Sequence, residues 1–151
     1  MTIDLVLVSA TTDVPEVIVI GVVVNNGLVL LTQSQKWHDK YSIPGGHVQK
    51  GETAFAALKR EIREETGMVV KAADLVYVAD LINPDEYYLS GKHFVVLMFR
   101  CFPKTFKVRT NKEAYRYQWL PISEFPEYPL TNPAKTALGK MNGPPIEHFG
   151  D

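Results

Sequence analysis

Three glutamates one helical turn apart carry the strongest chemical signal in this chain. In Arg60-Glu61-Ile62-Arg63-Glu64-Glu65, residues 61, 64 and 65 stand at i, i+3 and i+4, so on a helix all three carboxylates share one edge within reach of a single small ion. Like charges at that spacing repel by roughly 0.2–0.5 kcal/mol per pair in an isolated helix, a poor choice for a merely solvated face. A divalent cation converts the repulsion into ligation, and carboxylate oxygens are hard donors suited to Mg²⁺ or Mn²⁺. Just upstream runs Pro44-Gly45-Gly46-His47-Val48-Gln49-Lys50-Gly51, whose glycines allow unusual backbone angles and let main-chain groups approach a ligand closely. A glycine loop beside an acidic helix suits a phosphorylated ligand together with the cation that neutralises it.

The complete spacing is more specific than either part. Gly46, five residues, Glu52, seven residues and then Arg60-Glu61-Ile62-Arg63-Glu64-Glu65-Thr66-Gly67-Met68 resembles the box of the Nudix (MutT-like) hydrolase family, G-x5-E-x7-R-E-U-x-E-E-x-G-U with U aliphatic, at every specified position. At ordinary residue frequencies a chance match at a given start is on the order of one in a billion.

The resemblance implies an α/β fold, a Nudix-like α/β/α sandwich with a mixed β-sheet, and hydrolysis of the pyrophosphate in a nucleoside diphosphate derivative by water attack on phosphorus. It implies that Glu61, Glu64 and Glu65 hold Mg²⁺ or Mn²⁺. Glu52 and Arg60 then fix the loop and the helix against each other, and Gly45, Gly46 and His47 face the substrate. Catalytic acid–base work falls to a box glutamate, Glu61 or Glu64, or to the loop acid Glu113, which precedes Trp119-Leu120-Pro121 as the family's loop acid precedes a Trp-containing strand; Glu86 stands behind them. The family also implies a homodimer, for which the apolar segment Ile3 to Val8 is available. The alternative is a Nudix-like nucleotide-binding or regulatory domain without turnover, against which the intact acid set speaks.

Substrate choice stays open between ADP-ribose-like compounds and nucleoside triphosphates. Pro84, 16 residues beyond Met68, is similar to a proline of ADP-ribose-cleaving members, whereas Asp85-Glu86-Tyr87-Tyr88 is similar to triphosphate-cleaving ones. Trp37 and Tyr41 are candidate stacking platforms for a base. The segments 37–41, 83–92 and 111–116 are those able to supply apolar platforms and cations to a nucleotide.

Composition bounds the rest. With 151 residues, 46% apolar, 22% charged and a net charge of −1, one soluble domain spanning 1–151 is expected, without the basic signature of a nucleic-acid binder. Cys101 is the single cysteine, which excludes an intrachain disulfide and a cysteine-built zinc site. His38, His47, His93 and His148 have no paired ligand spacing. The N-terminus lacks a basic signal-peptide region, and the longest apolar run, Val17 to Val24, is too short to span a bilayer, so a cytoplasmic location and no membrane partner are expected.

Several elements must position these groups. Ile3 to Val8 and Val17 to Val24 read as strands, the second central because it is apolar on both faces. Asn25-Asn26-Gly27 predicts a tight hairpin into Leu28 to Thr32. Thr53 caps a helix that Gly67 stops, with Phe55, Leu58 and Ile62 on its core-facing seam. Asp74 to Ile82, His93 to Phe102, Thr105 to Arg109 and Tyr115 to Leu120 read as further strands. Pro121 to Pro129 offers Ser123 as the cap of a short turn. Asn132 caps a helix with Pro133 at its first position, and 142–151 is an extended tail with little to bury.

Overall fold

Strand β1, Glu16–Asn25, alternates its side chains between two cores, which makes it the centre of the sheet. Ile18, Ile20 and Val22 point into one cluster, and Val19 and Val23 into the other. The computed structural model describes residues 14–123 and 128–150. Asn26 and Gly27, at φ 52° and 78°, turn β1 into β2, Leu28–Gln33. Positive φ at both central residues is what a type I′ turn requires.

The remaining strands, among the described residues, build outward from this hairpin. They are β3, Tyr41–Ser42; β4, Gly45–His47; β5, Val70–Ile82; β6, His93–Pro103; β7, Arg116–Pro121; and β8, Glu147–Gly150. The order is β3-β2-β1-β6-β5-β8, with β4 also on β1 and β7 also on β2. Only β1 and β6 run parallel; the other named strand pairs are antiparallel, so the sheet is mixed. Strand β1 changes neighbour along its length, pairing β4 from Ile18 to Ile20 and β2 only at Val24 and Asn25. That exchange parts β2 from β4 and leaves room for a cavity between them.

Helix α1, Ala54–Thr66, covers one face and helix α2, Asn132–Lys140, the other. The Thr53 hydroxyl accepts the Ala56 N–H, and Gly67 at φ 77° closes α1 by donating to the Arg63 carbonyl. Leu58 and Ile62 are fully buried against Val19, Val23 and Leu30, each such side chain contributing about 1.5–3 kcal/mol. On the opposite face Ala134, Ala137 and Leu138 meet the Ile18, Ile20 and Val22 side of β1. Two helices enclosing one mixed sheet form the expected α/β/α sandwich.

The structure corrects four local expectations. The cap of α2 is Thr131, not Asn132, because the Thr131 hydroxyl is buried, lies 3.1 Å from that of Ser42 and accepts the Ala134 N–H; Pro133 therefore moves to the second helical position. Residues 105–109 form no strand: Lys104 and Arg109 donate their N–H groups to the carbonyls of Val69 and Thr66 instead of to a ladder. Strand β5 begins at Val70 and not at Asp74. The tail is extended, but it is docked on β5 as β8. Phe149 packs 5.6 Å from Phe55 and 5.9 Å from Phe99, ring centre to centre, partners a local reading of the tail has no means of finding. Residues 3–8, and with them the segment offered for pairing two copies, lie outside the described residues, as do 124–127. Among the described residues no helix is long and apolar enough to cross a membrane.

Ionic contacts secure β8. Asp74 accepts from His148 at 2.6 Å and from Arg100 at 2.9 Å, and Arg100 also donates to the Met141 carbonyl. These partners, His148 foremost, hold the Asp74 carboxyl below its ordinary range. A group with a depressed folded pKa stabilises the fold above its unfolded pKa and loses that contribution as pH falls through the folded value. Asp74→Asn should therefore be less stable than the unaltered protein at neutral pH, with the gap closing below about pH 4; urea unfolding at both pH values measures it.

Candidate active site

The acidic edge of α1 is assembled around one guanidinium. Arg60 donates through Nε to Glu52 at 3.1 Å and through Nη2 to the other Glu52 oxygen at 2.6 Å, a two-pronged contact. Its Nη1 reaches Glu61 at 2.8 Å and Glu64 at 3.4 Å, and Nη2 also meets the His47 carbonyl at 2.9 Å. Glu52 in turn accepts the Gln49 N–H at 2.8 Å, so the loop, the helix and β4 are tied through one side chain. The Arg60 hydrogen bonds hold Glu52 below the usual carboxylate range.

The glycines of β4 serve space rather than backbone freedom. In the stretch 44–51 only Gly51, at φ 89°, needs the left-handed region. A methyl group on Gly45 would strike the Val19 carbonyl, and one on Gly46 would strike the Glu61 carboxylate. The stretch is also no open cradle of N–H groups. The Gly45 N–H donates to Glu65 at 2.8 Å and the Val48 N–H to the Val17 carbonyl at 2.9 Å. Glycine at 45 is required by the backbone of β1, and a side chain at 46 would have to move the Glu61 carboxylate.

Burial grades the three helix glutamates. Glu65 is 6% exposed, the Glu61 side chain 13% and the Glu64 side chain 54%. Burial pushes the Glu65 carboxyl well above its ordinary value, and the charges of Glu61 and Glu113 push it further against the Gly45 N–H. Burial likewise raises Glu61, opposed by Arg60 and reinforced by Glu64 and Glu113. Among the described residues no three His, Cys, Asp or Glu side chains converge closely enough to hold an ion, unlike the single focus that helical spacing suggests. Arg60 draws Glu61 and Glu64 to itself, and the Gly45 N–H holds Glu65. The donor set still fits a hard divalent cation: three carboxylates, Glu52, Glu61 and Glu64, face one guanidinium, Glu65 stands beside them, and Glu61 and Glu65 are both desolvated, with the charge of Glu61 acting on Glu65.

Beside this edge lies an open-mouthed cavity where β2 parts from β4. Gly45, Gly46, His47 and Glu65 form one wall, Trp37, Tyr87 and Phe94 supply aromatic surface, and Ile18, Ile20 and Ile43 are apolar lining. Lys36 and Glu113 join in an ion pair and both line it. The Trp37 ring meets Tyr87 edge-on at 4.7 Å. His47 sits over Phe94 at 5.9 Å, with Nε2 3.0 Å from Glu16, whose other oxygen accepts from Lys92 at 2.8 Å.

The structure thus brings Trp37, Gly45, Gly46, His47, Glu65 and Glu113 to one cavity, with Glu61 behind Gly46. Tyr41 is not among its lining residues: its hydroxyl is tied to Gln118 at 3.0 Å and its ring packs on Tyr128. Glu86 is also elsewhere, accepting the Asn132 N–H at 2.6 Å at the start of α2 and pairing with Lys40. Lys36, adjacent to Trp37, and Tyr87, within the segment 83–92, had local signals. Glu16 and Phe94 had none, because the parallel register of β1 and β6 is what sets them side by side.

Comparison with known proteins agrees with this geometry. A family model described as NUDIX domain matches residues 14–140. A MutT-like protein of Streptomyces ambofaciens is 32% identical over 109 residues, covering 72% of this chain and 66% of the relative, so the match spans just under two thirds of that protein. Nucleoside triphosphatase NudI of Escherichia coli K12 is 28% identical over 130 residues, 80% of this chain and 92% of NudI. The crystal structure of a MutT NUDIX hydrolase from Burkholderia pseudomallei superposes with a TM-score of 0.76 at 25% identity, over 86% of this chain and all of that one.

Gly46→Ala tests the close approach of β4 to the edge. The added methyl should displace the Glu61 carboxylate, weaken divalent-cation binding by at least about tenfold and leave the helical circular-dichroism signal intact. Unchanged cation affinity would remove the contact from the site.

Proposed function

We propose a hydrolase reading for this chain, which belongs to the NUDIX family: it cleaves the pyrophosphate link of a nucleoside triphosphate to give a nucleoside monophosphate and pyrophosphate. The observation that carries the reading is the junction of two surfaces, a cavity with aromatic walls for a base and an acidic edge that reaches it through Glu65, with Glu61 behind Gly46. The similarity to nucleoside triphosphatase NudI favours a triphosphate over an ADP-ribose-like compound. The turn carrying Pro84 is closed by the Tyr87 N–H on the Pro84 carbonyl, and it is Tyr87, not Pro84, that lines the cavity.

In this reading the base lies against Trp37 and Tyr87 over Ile18, Ile20 and Phe94, and the phosphates pass Gly46 towards α1. Glu61, Glu64 and Glu65 would hold Mg²⁺ or Mn²⁺, which when bound neutralises phosphate oxygens and lowers the pKa of water. Arg60 orients Glu61 and Glu64, and the Gly45 N–H orients Glu65. Glu113, on the cavity wall and steadied by Lys36, takes the proton of the attacking water at its carboxylate oxygen. Water adds to one phosphorus, the bridging oxygen departs with its electron pair, and the proton follows it to product. A nucleotide-binding domain without turnover is the competing reading.

The deciding experiment offers nucleoside triphosphates, ADP-ribose and dinucleoside polyphosphates with Mg²⁺ or Mn²⁺ between about pH 7 and 9 and identifies the phosphate-bearing products. Monophosphate with pyrophosphate is expected. Glu113→Gln should lower kcat by about 10²-fold or more with KM little changed. If none of the compounds is cleaved, the binding-domain reading replaces this one.

A further inference from the structure

Residues 104–115, between β6 and β7, concentrate positive charge that no ion pair among the described residues answers. Lys104, Lys107, Arg109 and Lys112 stand there against a single acid, Glu113, in a chain of net charge −1. All four cations are exposed. Among the described residues none of them enters an ion pair, and Glu113 is taken by Lys36.

The segment is nevertheless held in place along its length. Lys104 and Arg109 donate backbone N–H groups to Val69 and Thr66, just past and at the end of α1. Val108 packs into the core beside α1, and Phe106 meets Trp119 edge-on at 6.3 Å. The Asn111 side chain accepts the N–H groups of Glu113 and Ala114, fixing the turn that delivers Glu113 to the cavity. Val108 is thus half-buried and Phe106, though itself exposed, is in contact with Trp119, while Lys107 and Arg109 are exposed. The strap runs from the C-terminal end of the acid-bearing helix to the cavity wall.

Helix electrostatics accounts for part of this charge. A cation beside a helix C-terminus is favoured by the macrodipole, and Arg109, whose side chain lies over Gly67, serves that purpose. Lys107 and Lys112 have no such role, and among the described residues neither forms an ion pair, since Glu113 is taken by Lys36. Exposed, unpaired cations on an anchored strap beside a pyrophosphate site match a linear polyanion that continues beyond the scissile link.

We propose that residues 104–112 form a subsite for the distal phosphates of the substrate, with Lys107 and Lys112 as its principal cations and Arg109 between them. This rests on the hydrolase reading and sharpens it. The preferred substrate is a nucleotide with a polyphosphate chain longer than the cleaved pyrophosphate, not one whose distal group is an uncharged sugar.

The test compares the unaltered protein with a Lys107→Gln/Lys112→Gln variant, leaving Arg109 on Gly67 undisturbed. kcat/KM is measured with Mg²⁺ for a nucleoside tetraphosphate, a nucleoside triphosphate and ADP-ribose. Binding of inorganic tripolyphosphate is followed by calorimetry in EDTA, where no turnover is needed. The ratio of tetraphosphate to ADP-ribose efficiency should fall about fivefold or more in the variant, with ADP-ribose efficiency unchanged and tripolyphosphate binding weakened in parallel. Equal ratios and equal tripolyphosphate binding in the two proteins would overturn the subsite while leaving the hydrolase reading standing. No turnover of any nucleotide, together with tripolyphosphate binding that the variant weakens, would remove the hydrolase reading and retain the anion subsite.

Discussion

The Arg60 guanidinium meets Glu52, Glu61, Glu64 and the His47 carbonyl at once, and the site cannot keep its shape without it. A planar fork with five donors can satisfy four acceptors from a loop, a strand and its own helix; a lysine ammonium, with three donors on a flexible stem, cannot. Removing the fork would leave partly buried carboxylates facing one another, and a buried charge stripped of its partner is strongly destabilising. Strand β4 is held against α1 by this contact and against β1 by its own pairing, and the gap between β4 and β2 is the cavity.

How much of this was legible in the sequence depended on how local each cause was. Thr53, Gly67 and the Leu58–Ile62 spacing belong to a single helix, and the structure reproduces them. The I′ turn at Asn26-Gly27 is equally local. The three glutamates were legible as an edge, but the convergence on one point that their spacing suggests is not seen among the described residues, because Arg60 holds Glu61 and Glu64 while the Gly45 N–H holds Glu65. Gly45 and Gly46 were legible as special for the wrong reason: the constraint is contact with Val19 and Glu61 across the fold, not backbone angle. Partners separated by most of the chain, such as Phe55 with Phe149 or Glu16 with His47, leave no local trace. Residues 105–109 alternate like a strand, yet their N–H groups found the end of α1 before any neighbouring strand.

Electrostatics separates the parts that serve stability from those that serve function. The Asp74, Arg100 and His148 contacts are balanced and hold the tail. At the acidic edge the balance fails: Glu61 and Glu65 are desolvated, Glu61 raises the proton affinity of Glu65, and a single guanidinium faces three acids, Glu52, Glu61 and Glu64. A fold keeps such a conflict where chemistry needs it. The span matched by the NUDIX domain model, 14 to 140, includes the edge, the cavity wall and the strap.

The central claim is that this unbalanced edge is a divalent-cation site. Mn²⁺ binding, followed by the loss of the free-ion electron paramagnetic resonance signal on titration into the unaltered protein and into Glu61→Gln/Glu65→Gln, addresses it without reference to any substrate. The account predicts saturable binding in the unaltered protein, weakened at least about 10²-fold in the variant by loss of two charged ligands. Equal Mn²⁺ affinity in the two folded proteins would contradict it.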